Sequence, residues 1–192
     1  MIFEPTALPG VFVIVPRPHS DERGFFARTW DADLFAQHGL PDRFVQSNVS
    51  YNRRAGTMRG MHWQAAPAEE GKLVRATAGA VWDVCVDLRP GSPTRLQHVG
   101  VRLDASLRNA LYIPEGFAHG FLTLEDDTEV FYEMSEVYVP ETARGLRWDD
   151  PALGIEWPAP VTVISERDAT YPDLEAAGDL GVTPATPSGV SR

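Results

Sequence analysis

The stretch Ala80-Val81-Trp82-Asp83-Val84-Cys85-Val86-Asp87-Leu88 shows the cleanest period of two in the chain. Trp82, Val84, Val86 and Leu88 share one face, opposite Asp83 and Asp87, which is the period of a β-strand. The pattern continues on both sides. Val11–Val15, Phe44–Tyr51 and Thr57–Trp63 read as strands before it; His98–Leu103, Leu111–Ile113, Ala118–Leu124 and Glu129–Met134 read as strands after it. Gly and Pro punctuate the joins at Gly56, Gly79, Pro90-Gly91, Pro93 and Pro114-Glu115-Gly116. One short helix is expected at Ala32–His38, with Asp31 as N-cap and Gly39 as stop. Many short strands linked by turn chemistry make an all-β sandwich, jelly roll or barrel.

At 192 residues the chain fits one domain with a real core. Residues 1–175 read as that domain, and the small, Pro/Gly-rich stretch 176–192 reads as a disordered tail. The net charge of −10 argues against nucleic acid, whose phosphates demand a basic partner surface. A small pyrophosphate needs only a few local cations, and Arg23, Arg53, Arg54, Arg59, Lys72 and Arg75 are candidates; Arg53 and Arg54 read as solvated surface. Cys85 is the only cysteine, so an internal disulfide and a cysteine zinc site are excluded. No apolar run approaches the roughly 20 residues that span a bilayer. MIFEPTALPG carries no basic lead, so no secretory signal is expected and a cytoplasmic location is the default.

Of the five histidines, His62 and His119 stand in chemically suggestive settings, whereas His19, His38 and His98 read as surface or structural. His119 lies in Ile113-Pro114-Glu115-Gly116-Phe117-Ala118-His119-Gly120-Phe121, which matches the PxGxxH pattern of the cupin superfamily. That pattern normally supplies one metal ligand, with an earlier HxH supplying two more. Here the earlier element is His62-Trp63-Gln64, and with Glu69 and Glu70 it makes a poor set for zinc or iron. No metal and no cofactor are expected. His62 is then a candidate general base. Asp168 is a candidate carboxylate to orient it, although Ser165 three residues earlier is equally a helix-capping spacing. Tyr132 reads as an acid on the opposite wall or as a core aromatic. Lys72 shares a face with Val74, pointing into a barrel or standing exposed at a strand end. Strict alternation puts Arg59 and His62 on opposite faces, so one shared pocket requires a bulge at Gly60.

Taken together, the segments resemble the dTDP-4-dehydrorhamnose 3,5-epimerase family. The matching pieces are Asp21-Glu22-Arg23-Gly24-Phe25-Phe26, Gln46-Ser47-Asn48-Val49-Ser50, Met58-Arg59-Gly60-Met61-His62-Trp63-Gln64, Lys72-Leu73-Val74 and Asp83-Val84-Cys85-Val86-Asp87-Leu88-Arg89. Further along come Ser92-Pro93-Thr94, the His119 segment, Tyr132, Tyr138, Trp148-Asp149-Asp150-Pro151, Trp157-Pro158 and Ser165-Glu166-Arg167-Asp168. As an ordered set covering nearly the whole chain they are highly specific. The resemblance implies a cupin-type double-stranded β-helix (jelly roll) with short peripheral helices, free of metal and working as a homodimer. It implies a His62–Asp168 dyad as base, Tyr132 as acid, and Lys72, with His119, facing the C4 oxygen of a nucleoside-diphospho-sugar. Arg23, Phe26, Gln46, Asn48, Arg59 and Tyr138 would hold the substrate, and the N-terminal strands would cross to the partner.

The expected chemistry is inversion of carbons beside a C4 ketone, which acidifies their protons without hydride or metal. Two positions depart from the family. Arg28 stands where glutamate is usual, which leaves the nucleotide open, and Glu133 follows Tyr132 where lysine is common. A single-carbon epimerase or ketoisomerase, and a non-catalytic sugar-binding cupin, are the competing readings.

Overall fold

The computed structural model describes residues 1–185. Its strands are β1 (Ile2–Pro5), β2 (Phe12–Val15), β3 (His19–Asp21), β4 (Gly24–Phe26), β5 (Gln46–Asn52), β6 (Thr57–Gln64) and β7 (Lys72–Ala78). They continue with β8 (Ala80–Asp87), β9 (His98–Asp104), β10 (Ala110–Ile113), β11 (Phe117–Thr123), β12 (Thr128–Met134), β13 (Ala143–Gly145) and β14 (Val163–Ile164). The helices are short: α1 (Ala32–Gln37), α2 (Glu166–Ala169) and α3 (Leu174–Ala177).

Two sheets face each other, ordered β1-β2-β10-β7-β12-β5 and β13-β6-β11-β8-β9, with β14 added in parallel to β6. From β5 to β8 and again from β9 to β13, successive strands alternate between the sheets. That repeated crossing is the jelly roll expected from the sequence. At one end the sheets close on an apolar plug in which Val74, Leu111, Ile113 and Val130 meet Val81, Cys85, Leu103 and Phe117. The other end stays open and polar.

The alternation in β8 is real, but its faces are assigned differently from their chemistry. Trp82, Val84, Val86 and Leu88 point away from the first sheet and lie under Leu146, Leu153, Trp157 and Leu180 of the C-terminal segment. The face carrying Asp83 is the inner one, and Asp83 and Asp87 are fully buried. Both faces are covered, so polarity does not mark solvent here.

Outside the first sheet, Phe35 of α1 packs with Leu40, Trp30, Phe44 and Phe3 on Ile14, Leu73 and Tyr112. Asp31 caps α1, accepting from Leu34 N–H at 3.0 Å. A cap is worth about 1 kcal/mol, which matters in a helix too short to be stable alone.

The expected disordered tail is packed as far as residue 185. Trp63 Nε1 donates to Leu180 O at 3.0 Å, Ala66 N to Gly181 O at 2.7 Å and Thr183 N to Glu69 Oε1 at 2.9 Å. Leu180 supplies the apolar contact that composition alone concealed. The remainder of that expectation, 186–192, lies outside the described residues.

Candidate active site

The open end of the jelly roll holds a cavity of about 530 Å³ between the sheets. Gln46, Asn48, Lys72, Tyr132 and Tyr138 line it from the first sheet and its edge; Arg59, His62 and His119 line it from the second. Arg144 and Arg167 add two further cations at its border. Within a strongly acidic chain this is a local basic site, and Glu70 is the sole carboxylate among its lining residues. Arg59 Nε donates to Asn52 Oδ1 at 2.7 Å, which orients the guanidinium and leaves its terminal nitrogens for an anion.

Arg59 and His62 reach one cavity because β6 carries a bulge. His119 pairs with His62, and Phe121 with Arg59, so Gly60 and Met61 together oppose Gly120. Gly60 sits at φ +133°, and a Cβ there would stand 2.5 Å from Gly120 Cα. Only glycine fits. The bulge also turns Gly60 N–H toward Asp168 Oδ2, at 3.3 Å.

Asp168 arrives through β14, which runs parallel to β6 with Ile164 opposite Met58 and leads directly into α2. Ser165 caps α2 by accepting from Asp168 N–H at 3.0 Å, while the Asp168 carboxylate accepts from His62 Nε2 at 2.8 Å. The two readings of this motif are therefore compatible: the Asp168 backbone meets the Ser165 cap while its side chain meets His62. Burial pushes the Asp168 carboxyl up, but the hydrogen bonds from His62, Gly60 and the Ser165 turn outweigh it and hold the group below its ordinary value. With Nε2 engaged as donor, Nδ1 of a neutral His62 keeps the lone pair. The Tyr171 ring packs edge-on against the imidazole at 5.7 Å.

On the facing sheet, Tyr132 of β12 pairs with Asn48 and Val74 and points inward. Burial raises its phenol, partly offset by the Arg59 charge, so it stays protonated and able to donate. Lys72 is buried in the cavity wall and forms an ion pair with Glu70. His119 donates from Nε2 to Asp83 at 2.9 Å.

A cupin metal does not fit these residues. Gln64 spends its amide on the backbone of Ala68, Val137 and Val139. His62 and His119 each commit Nε2 to an aspartate. Among the described residues no group of three or more His, Cys, Asp or Glu side chains has the arrangement of a metal site.

The model of the dTDP-4-dehydrorhamnose 3,5-epimerase family matches residues 5–176. The chain belongs to that family. A dTDP-4-dehydrorhamnose 3,5-epimerase of Methanothermobacter thermautotrophicus is 45% identical over 175 residues, covering 90% of this chain and 94% of the relative. A dTDP-4-dehydrorhamnose 3-epimerase of Streptomyces niveus is 40% identical over 185 residues, covering 96% and 89%. Among solved structures, the dTDP-6-deoxy-D-glucose-3,5-epimerase of Legionella pneumophila in complex with dTDP-4-keto-L-rhamnose superposes with a TM-score of 0.90 at 36% identity, covering 96% of this chain and 98% of that one.

Two residues that the epimerase resemblance assigns to substrate stand apart from the cavity. Arg23 and Phe26 lie on the β3–β4 hairpin, which pairs only with itself. Arg23 binds Asp21 in the open, and Phe26 is 72% exposed. Neither lines the cavity of its own chain. Arg28 pairs with Asp31 at the start of α1, also outside the cavity. Glu133 is not beside the Tyr132 phenol. Alternation sends it to the outer face of β12, 3.8 Å from Arg75, where burial raises its carboxyl. Sequence reasoning missed Asp83, Glu70, Arg144, Arg167 and Tyr171. Asp83 was legible as the polar face of β8 and the start of a matched segment, Glu70 as a rejected metal ligand, and Arg167 as the neighbour of Asp168 in a matched motif.

Proposed function

We propose that this chain is a cytoplasmic epimerase that inverts the carbons flanking the C4 ketone of dTDP-4-dehydro-6-deoxyglucose, giving dTDP-4-dehydrorhamnose. The observation that carries this reading is an imidazole backed by a carboxylate, His62 with Asp168, and a phenol, Tyr132, lining one cavity from different sheets. His62 Nδ1 takes the proton from C5 or C3, and the electron pair moves into the C4 oxygen as an enolate. The Lys72 ammonium, with His119 nearby, stabilises that oxygen. Tyr132 then gives its phenolic proton to the opposite face of the carbon. The cycle leaves His62 protonated and Tyr132 ionised, and exchange with water restores both. No step needs a metal or a redox cofactor.

Arg59, Gln46 and Asn48 are the candidates for the pyrophosphate and nucleoside, and Tyr138 for the base. Arg23 and Phe26 serve the same ligand if the hairpin reaches the cavity of a second copy, so we propose a homodimer. The exposed, self-paired hairpin and the open edge strands β1 and β5 favour it.

The test is incubation with dTDP-4-dehydro-6-deoxyglucose in deuterated water, followed by NMR. Deuterium at both C3 and C5, with conversion to dTDP-4-dehydrorhamnose, is expected. Deuterium at C3 alone would assign the chain to the single-carbon reaction named for the Streptomyces niveus relative. No exchange with this or other 4-keto-6-deoxy nucleotide sugars would leave only the sugar-binding reading.

A further inference from the structure

The cavity is built for an anionic ligand, yet one carboxylate lines it. Glu70 is 6% exposed and Lys72 8%, and the two side chains are joined as an ion pair in the cavity wall. The second carboxylate oxygen of Glu70 accepts from Gln64 N–H at 3.0 Å, so its direction is set by the backbone of β6. The segment that carries Glu70 is pinned from outside. Ala66 N donates to Gly181 O, and the neighbouring Glu69 receives Thr183 N–H at 2.9 Å. Gly71 N–H, on the other side, donates to Ser135 Oγ at 2.8 Å. This is a rigid mount for a negative charge.

A buried carboxylate near a bound pyrophosphate costs binding energy unless something local repays it. As a loop anchor alone it is over-specified, since a neutral amide oxygen accepts the Gln64 N–H equally well. What a carboxylate adds is a fixed counter-charge for Lys72. A lysine stem has four rotatable bonds, so a lone ammonium samples many positions in a cavity of this size. Held by Glu70, it occupies one.

We infer that Glu70 is a positioning residue that aims the Lys72 ammonium at the developing enolate oxygen. The inference rests on the role given to Lys72 above. Glu70 itself touches neither the reacting carbons nor the migrating protons. Its effect therefore falls on kcat and leaves KM nearly unchanged, because the charge it aims is needed most when the enolate forms.

The experiment compares Glu70→Gln, Glu70→Asp, Lys72→Ala and the Glu70→Gln/Lys72→Ala double variant. Steady-state epimerisation of dTDP-4-dehydro-6-deoxyglucose is measured for each, with urea midpoints to monitor folding. Glu70→Gln is expected to lose about 10–100-fold in kcat, the usual cost of losing an outer-shell partner. Glu70→Asp keeps the charge and should recover part of that loss. The double variant should be no slower than Lys72→Ala, since Glu70 has nothing left to aim. Wild-type kcat in Glu70→Gln alongside a crippled Lys72→Ala overturns the inference and leaves the role of Lys72 standing. Full activity in Lys72→Ala overturns both. A double variant slower than Lys72→Ala by the Glu70→Gln factor also overturns it, because Glu70 then acts by another route. So does a loss in Glu70→Gln that follows the urea midpoint with no recovery in Glu70→Asp.

Discussion

His62 and His119 are direct cross-strand partners, and each gives its Nε2 proton to a different buried aspartate. Asp168 comes from a C-terminal helix and Asp83 from the adjacent strand β8, so the two rings are held independently.

Removing the His62 imidazole should abolish proton abstraction. His62→Ala is expected to fall by at least ~10²–10⁴-fold, the usual worth of a general base. Asp168→Asn should lose less, because the ring remains and only its orientation and charge support are gone. Loss of deuterium incorporation from solvent, followed by NMR, checks both. Full exchange in His62→Ala would move the base elsewhere.

Tyr132→Phe separates the two half-reactions. The carbon acid is still deprotonated by His62, so solvent exchange should persist while inversion drops by roughly 10²-fold or more. Because burial raises the phenol, donation by wild-type Tyr132 should hold up to alkaline pH. Equal epimerisation rates for Tyr132→Phe and wild type would return Tyr132 to the core aromatics.

The dyad also leaves a signature in acid stability. The Asp168 carboxyl lies below its ordinary value in the folded state, so the unfolded chain binds its proton first as pH falls. Its contribution is complete above the ordinary carboxylate value of about 4 and vanishes as pH drops through the lower native one. Urea midpoints from pH 7 to 2.5 should show wild type and Asp168→Asn converging below about pH 4. A constant gap would mean that the carboxylate charge is not what stabilises the fold.

If the hairpin serves a partner cavity, Arg23→Ala and His62→Ala should complement each other. A mixed dimer carries one site with both native residues, so co-refolded variants should recover activity at low substrate that neither has alone. No recovery, with mixed dimers confirmed by native mass spectrometry, would confine Arg23 to its own chain.

Leu180→Ala tests the packed C-terminal segment. Leu180 is 8% exposed against Trp63, Leu146 and Leu153, and truncating such a leucine costs about 2–5 kcal/mol. A change in unfolding free energy near zero would mean that this segment is as loose as its composition reads.

Much of the fold was legible because period-two alternation survives in nearly every inner strand, and because Asp31 and Gly39 bracket α1 with ordinary helix signals. The bulge at Gly60 was legible too, as a conflict between alternation and the need for Arg59 and His62 in one pocket. The strands β1, β3, β4, β13 and β14 were not, since each is four residues or fewer and, unlike the equally short but wholly apolar β2 and β10, carries no run of three apolar residues.

By itself the sequence determined which residues share a strand face. The ordered motifs named His62, Lys72, His119 and Tyr132 among the side chains that meet in the cavity, but also Arg23 and Phe26, which do not line it. Tertiary structure alone decided which face of β8 turned inward, because a strand covered on both sides keeps its period but loses the solvent cue. It alone decided that Asp168 would reach His62 across 106 positions, through the parallel pairing of β14 with β6. It also decided that Glu70 would meet Lys72 and that Leu180 would close over Trp63. Local periodicity is set by the backbone of each segment, whereas these contacts are set by how separate segments share one buried volume.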